Sequence, residues 1–114
     1  MSKFDAPEIT PADARARIES GEAQLIDIRE PYEWDAGRIP GARHIELERL
    51  ASQAETIDKD RPVIFQCRLG ARSAMATQAF RGAGYDAWSM AGGIQRWNDE
   101  GLPMEPEGAT VADH

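Results

Sequence analysis

The chain has 114 residues, 41% hydrophobic and 29% charged, with 20 acidic against 13 basic side chains for a formal net charge of −7. That length suits one domain with a real core, and the acidic balance argues against a nucleic-acid phosphate backbone or an anionic membrane as partner. A single cysteine, Cys67, allows no internal disulfide, no CxxC pair and no thiolate zinc site, so neither a metal nor a cofactor is expected. No apolar run is long enough to span a bilayer, and "MSKFDAPEIT" lacks a secretory h-region, so a cytoplasmic protein is expected.

In "TPADARARIESGE", Thr10 stands as N-cap, Pro11 takes the first helical position, Asp13 completes a Thr-x-x-Asp capping box and Gly21 is the stop. A first helix is predicted there. The apolar run "AQLIDI", ended by charge, reads as a strand. "REPYEWDAG" reads as a short helix or turn, and the Pro-Gly turn of "RIPGARHIEL" leads to a brief strand at His44 and Ile45. Leu47, Leu50, Ala51 and Ala54 recur at helical spacing, which predicts a helix over "LERLASQAETI", closed by "DKDRP" before a strand at "VIFQ". A helix from Ser73 to Arg81 offers Ala74, Ala76, Ala79 and Phe80 for packing and ends at Gly82 and Gly84. "YDAWSM" supplies another short strand, and "GGIQRWNDEGLP" a final helix stopped by Gly101 and Pro103. "MEPEGATVADH" is polar and aperiodic, which predicts a mobile tail over 104–114. Strands alternating with helices predict an open, largely parallel α/β sheet covered on both faces, with ligands bound beyond the carboxyl ends of its strands. Cys67 falls at such an end.

The stretch "FQCRLGARSAM" carries that thiol from strand to helix. A loop this short cannot satisfy its own N–H groups around an empty centre, so its donors are expected to point inward. Gly70 permits unusual backbone angles and the positive end of a helix lies behind, which together make an anion site. A thiolate is the nearest anion. A free thiol is only about 3% ionised at pH 7, and such surroundings favour its nucleophilic form. Most lone cysteines are small buried hydrophobes, and single arginines are usually surface charges. The joint presence of strand, cysteine, glycine, two arginines, serine and helix points instead to a reactive thiol.

"CRLGARS", Cys67 to Ser73, resembles the active-site loop of the rhodanese family. "LIDIREPYEWDAGRIPGA", Leu25 to Ala42, resembles the family's upstream Asp-x-Arg and Gly-x-Ile-x-Gly-Ala signature. "MAGGIQRWNDEGLP", Met90 to Pro103, resembles its closing Gly-Gly, Trp and Gly-Leu-Pro pattern. The resemblance runs in order from Ile9 to Pro103. It implies a rhodanese-like α/β fold, an open, mainly parallel five-stranded sheet with helices on both faces, as a single domain over residues 1–114. It also implies a sulfurtransferase of the thiosulfate sulfurtransferase type. The Cys67 thiolate would take a sulfane sulfur from a small anion or persulfide and hold it as a persulfide. An external acceptor, such as cyanide, a thiol or a partner protein's cysteine, would then remove it. Carried over by position, Arg68 and Arg72 bind the anionic donor, while Leu69, Gly70, Ala71 and Ser73 complete the loop, Ser73 also capping the helix. Thiosulfate-preferring members often carry a second basic residue where this chain has Leu69, which points to donors needing less positive charge, such as a polysulfide or a persulfide.

Asp27 and Arg29 read as a structural pair that fixes the loop at the pocket edge. Trp34, Trp88 and Trp97 read as packing anchors, His44 has no nucleophile near it in sequence, and His114 falls in the tail. Gly92 and Gly93 read as a turn before the final helix. A cysteine phosphatase or arsenate reductase would follow Cys-x5-Arg, which needs arginine at the position of Ser73, and a smaller ring suits one sulfur better than a tetrahedral phosphate. A non-catalytic or partner-dependent sulfur-relay module is the other alternative, although such modules often lack the cysteine.

Overall fold

The computed structural model describes residues 6–114. The first helix, α1 (Pro11–Glu19), starts as its sequence dictates: Thr10 Oγ1 accepts the Asp13 N–H at 3.2 Å and Pro11 lies just inside. Five strands form one sheet: β1 (Glu8–Ile9), β2 (Gln24–Asp27), β3 (Arg43–His44), β4 (Val63–Gln66) and β5 (Ala87–Met90). All pairings between them are parallel, in the order β1-β5-β4-β2-β3. Parallel neighbours need crossovers, and the helices α2 (Pro31–Ala36), α3 (Leu50–Gln53), α4 (Ala71–Gly82) and α5 (Gly93–Asp99) lie between or after the strands.

The central strand β4 is buried along its whole length, which is why it reads as the unbroken apolar run Val-Ile-Phe. Its period of two divides the core into two layers. Val63 and Phe65 pack with Leu50, Ala76 and Phe80 on one face, and Ile64 with Ala14, Ile94 and Trp97 on the other. Phe80 meets Phe65 and Tyr85 edge-on, each at 4.8 Å between centroids, and each contact adds about 0.5–1.5 kcal/mol beyond area burial. Among the described residues no helix is long and apolar enough to cross a membrane.

Residues 47–56, the third strand and residues 104–114 differ from expectation. Residues 47–56 form a 3-10 turn (Leu47–Arg49), the short α3 and a second 3-10 turn (Ala54–Thr56) in place of one helix. Ser52 Oγ donates to the Arg49 carbonyl and Thr56 Oγ1 to that of Gln53, hydroxyl bonds that compete with regular helix pairing. The brief third strand covers Arg43–His44, one residue earlier than expected.

Residues 104–114, expected to form a mobile tail, lie against the domain. Arg38 and Glu105 exchange both backbone bonds at 2.8 Å, Thr110 N–H donates to the Ala36 carbonyl at 2.9 Å, and Val111 packs on the Ile64 layer. At Gly37 the backbone is extended, yet a Cβ would run into the Thr110 carbonyl and the Ala109 side chain. The missing side chain is thus room for the returning segment. Gly37→Ala is expected to cost about 1–3 kcal/mol by overpacking and to speed hydrogen exchange at the Thr110 amide. Unchanged exchange there would contradict the packing described.

Candidate active site

β4 delivers Cys67 to the carboxyl edge of the sheet, and the chain turns over Arg68, Leu69 and Gly70 into α4. Gly70 has φ of +116°, a conformation that L side chains rarely adopt, and its carbonyl accepts the Ala74 N–H at 2.9 Å. The helix therefore begins at Ala71, two residues before the expected Ser73. The N-cap is Gly70, and Ser73 sits inside the first turn. Both Gly70 and Ser73 aim backbone N–H groups at Cys67 Sγ, at 3.2 and 3.4 Å. The Ser73 hydroxyl is 3.6 Å from the sulfur and 2.7 Å from the Ser89 hydroxyl. A sulfur in this position receives two amide dipoles and the positive end of a 12-residue helix, and all three favour negative charge on it.

The outward carbonyls of the same loop are held from behind. Ile94 N–H donates to the Cys67 carbonyl at 2.8 Å and Gln95 N–H to that of Arg68 at 3.1 Å. Gly93, with φ of +58°, lies so close that a Cβ would collide with both carbonyls. The Gly92-Gly93 turn thus clamps the loop as well as starting α5.

Each arginine of the loop has a carboxylate partner. Arg72 spans Glu33 with Nη1–Oε1 and Nη2–Oε2 distances of 2.9 and 3.1 Å, and the Glu33 side chain is fully buried. Arg68 Nη2 lies 3.3 Å from Asp113 Oδ1. Glu33 is fixed from two sides. The Glu30 N–H donates to its Oε1 at 2.9 Å, and Arg29 holds α2 by donating to the carbonyls of Glu33 and Gly37 at 3.2 and 2.8 Å. Arg29 is in turn paired with Asp27 at 2.8 Å, both fully buried. Burial alone would push the Glu33 carboxyl up and the Arg72 guanidinium down. Their mutual hydrogen bonds outweigh it: Glu33, aided by the Glu30 amide, is held below the usual carboxylate range and Arg72 above its ordinary value.

The resulting cavity, about 190 Å³, is lined by Cys67, Arg68, Leu69, Ala71, Arg72 and His114. Larger clefts of about 400 and 450 Å³ have no lining residue from the 67–73 loop. Size alone would choose them, but the chemistry chooses the smaller one.

Residues 10–100 match the rhodanese-like domain. The chain belongs to the rhodanese-like family. Over 99 residues it is 35% identical to the thiosulfate sulfurtransferase GlpE of Actinobacillus succinogenes, covering 86% of this chain and 89% of that one. It is 39% identical over 106 residues, 90% of its length, to the HTH-type transcriptional regulator Rv0324 of Mycobacterium tuberculosis. It spans only 46% of that regulator and 60% of a second curated relative. A crystal structure of a rhodanese-related protein from Thermoplasma volcanium matches with a TM-score of 0.81 at 29% identity, covering 87% of this chain and 97% of that one.

Of the loop residues in this rhodanese-like site, Gly70 and Ser73 face the Cys67 sulfur and Arg68, Leu69, Ala71 and Arg72 line the cavity beside it, while Asp27 and Arg29 stand one layer behind, bracing α2. His44 lies outside it: Nε2 donates to the Arg29 carbonyl at 2.8 Å, and the ring stacks on Trp34 at 4.8 Å. Trp97 is buried and donates to the Pro103 carbonyl. Sequence reasoning missed Glu33, Ser89 and Asp113 and set His114 aside. Glu30 and Glu33 around Pro31 do spell a capping box, but nothing local says that its carboxylate meets an arginine 39 residues away.

Because Glu33 ionises more readily folded than unfolded, its stabilising contribution is complete above its ordinary value of 4.5 and is lost as pH falls through the lower folded value. Glu33→Gln is expected to cost about 1–3 kcal/mol at pH 7, since it leaves a largely buried guanidinium short of its partner. It should also show a shallower loss of stability below pH 4.5. Urea unfolding across the acid range measures both, and parallel acid slopes for the two proteins would contradict the pairing.

Proposed function

We propose that the protein is a sulfurtransferase in which Cys67 carries a sulfane sulfur between a donor and an external thiophilic acceptor. The observation that carries this reading is the pair of amide N–H groups converging on Sγ at the start of α4. Such an arrangement stabilises a thiolate at Sγ, which is both the nucleophile that takes up the sulfur and the group that leaves when an acceptor removes it. The name of the sulfurtransferase relative agrees with it.

With thiosulfate as donor, the Cys67 thiolate attacks the outer sulfur. The S–S bond of thiosulfate breaks, sulfite leaves with the electron pair, and Cys67 becomes a persulfide. An acceptor thiolate or cyanide then attacks the terminal sulfur and releases the Cys67 thiolate, leaving the acceptor as a persulfide or as thiocyanate. A guanidinium has five N–H donors. Glu33 takes two from Arg72 and Asp113 one from Arg68, so both arginines keep donors for an anionic donor and for departing sulfite. Leu69, 60% exposed, puts an apolar side chain on the same loop, which favours persulfide and polysulfide donors over a free dianion.

Intact mass after brief exposure to thiosulfate, and separately to glutathione persulfide, tests this. A gain of one sulfur, about 32 Da, removed by dithiothreitol and absent from Cys67→Ser, is expected. No adduct from either donor would remove the sulfurtransferase reading. An adduct that no small acceptor discharges would favour a relay or sensing module.

A further inference from the structure

Residues 104–114 end at the mouth of the Cys67 cavity. Bonds from Thr110 to Ala36 and from the Tyr32 hydroxyl to the Asp113 carbonyl, at 2.9 and 3.0 Å, hold the approach. From there Asp113 reaches Arg68 at 3.3 Å. The His114 Nδ1 lies 3.3 Å from Glu33 Oε1 and 3.5 Å from the Tyr32 hydroxyl, and the residue forms part of the cavity wall. Leaving the imidazole aside, the mouth holds two cations, Arg68 and Arg72, against two carboxylates, Asp113 and Glu33. A thiolate adds a further negative charge, so a dianion enters without surplus positive charge to meet it. Glu33 is buried beneath Arg72, whereas the Asp113 side chain is 97% exposed and is paired with Arg68, a residue of the cavity wall.

We infer that Asp113 and His114 are specificity-determining residues of this site: the Asp113 carboxylate offsets the charge of Arg68 and turns the site away from dianionic donors, and the His114 ring limits the size of what reaches Cys67. The inference rests on the sulfurtransferase reading for its biological meaning, while the gate itself can be measured without sulfur transfer. Iodoacetate and iodoacetamide alkylate the same sulfur and differ by one negative charge. Their rate ratio therefore reports the charge at the mouth, and the ratio of N-ethylmaleimide to iodoacetamide reports its width.

At pH 8, Asp113→Asn is expected to raise the iodoacetate-to-iodoacetamide ratio about two- to fivefold, the range of an exposed ion pair. Asp113→Lys should raise it further, and added salt should compress both effects. His114→Ala is expected to raise the maleimide-to-iodoacetamide ratio. In sulfur transfer, Asp113→Asn should shift preference from benzenethiosulfonate, a monoanion that releases sulfinate, toward thiosulfate, a dianion that releases sulfite. Both substituted side chains are exposed or half-exposed, and thermal unfolding of each variant verifies the fold. Ratios that stay at the native value in both Asp113 variants and in His114→Ala overturn the inference, whatever the donors do. Shifted ratios without any persulfide would leave the gate standing and remove the sulfurtransferase reading instead.

Discussion

The Asp27–Arg29 pair is the constraint on which the site depends. Both side chains are fully buried, and Arg29 spends its donors on Asp27 and on the carbonyls of Glu33 and Gly37. Such a pair adds little net stability over apolar side chains of equal volume, but losing one partner leaves an unpaired buried charge that costs about 3–5 kcal/mol. Its value here is positional. It ties the end of β2 to α2, α2 carries Glu33, and Glu33 grips Arg72 of the loop around Cys67. The chain of supports thus runs from the end of β2 to the loop around the thiol through the paired side chains of Asp27, Arg29, Glu33 and Arg72.

A second set of supports acts on the loop backbone, and it has a direction. Carbonyls of Cys67 and Arg68 face the amides at the start of α5, while amides of Gly70 and Ser73 face the sulfur. The polarity of the peptide unit is what sorts them: a group turned one way must turn its partner group the other. Gly93 makes the close approach sterically feasible, and Gly70 supplies the positive φ from which α4 can start. The sheet order places β4 between β5 and β2, so the elements that hold the loop arrive from both sides of the strand that bears Cys67.

Much of this was legible in the sequence because the signals are local. The cap at Thr10, the buried run Val63–Gln66 and the glycine stops each act within a few residues, and the structure follows them. The two-residue strand β1 is too short to show a period. The start of α4 depended on a positive φ at Gly70 that composition permits without demanding. The hydroxyl bonds that break up 47–56 compete with a helical pattern that is really present. Least legible were the partners of the two arginines, since Glu33 and Asp113 lie 39 and 45 residues from them. Charge pairing across such distances is a product of the fold, not of any motif.

Cys67 is only 1% exposed and is bonded through its own carbonyl to α5. A sulfur so held has a short reach: a single side-chain torsion separates it from a backbone that is itself bonded to α5. Displacement at sulfur needs attacker and leaving group in line, so the burden of alignment falls on the visitor. The incoming atom has to travel to the sulfur, and an acceptor borne on a bulky surface can collect cargo only from a side chain slender enough to project into the cavity.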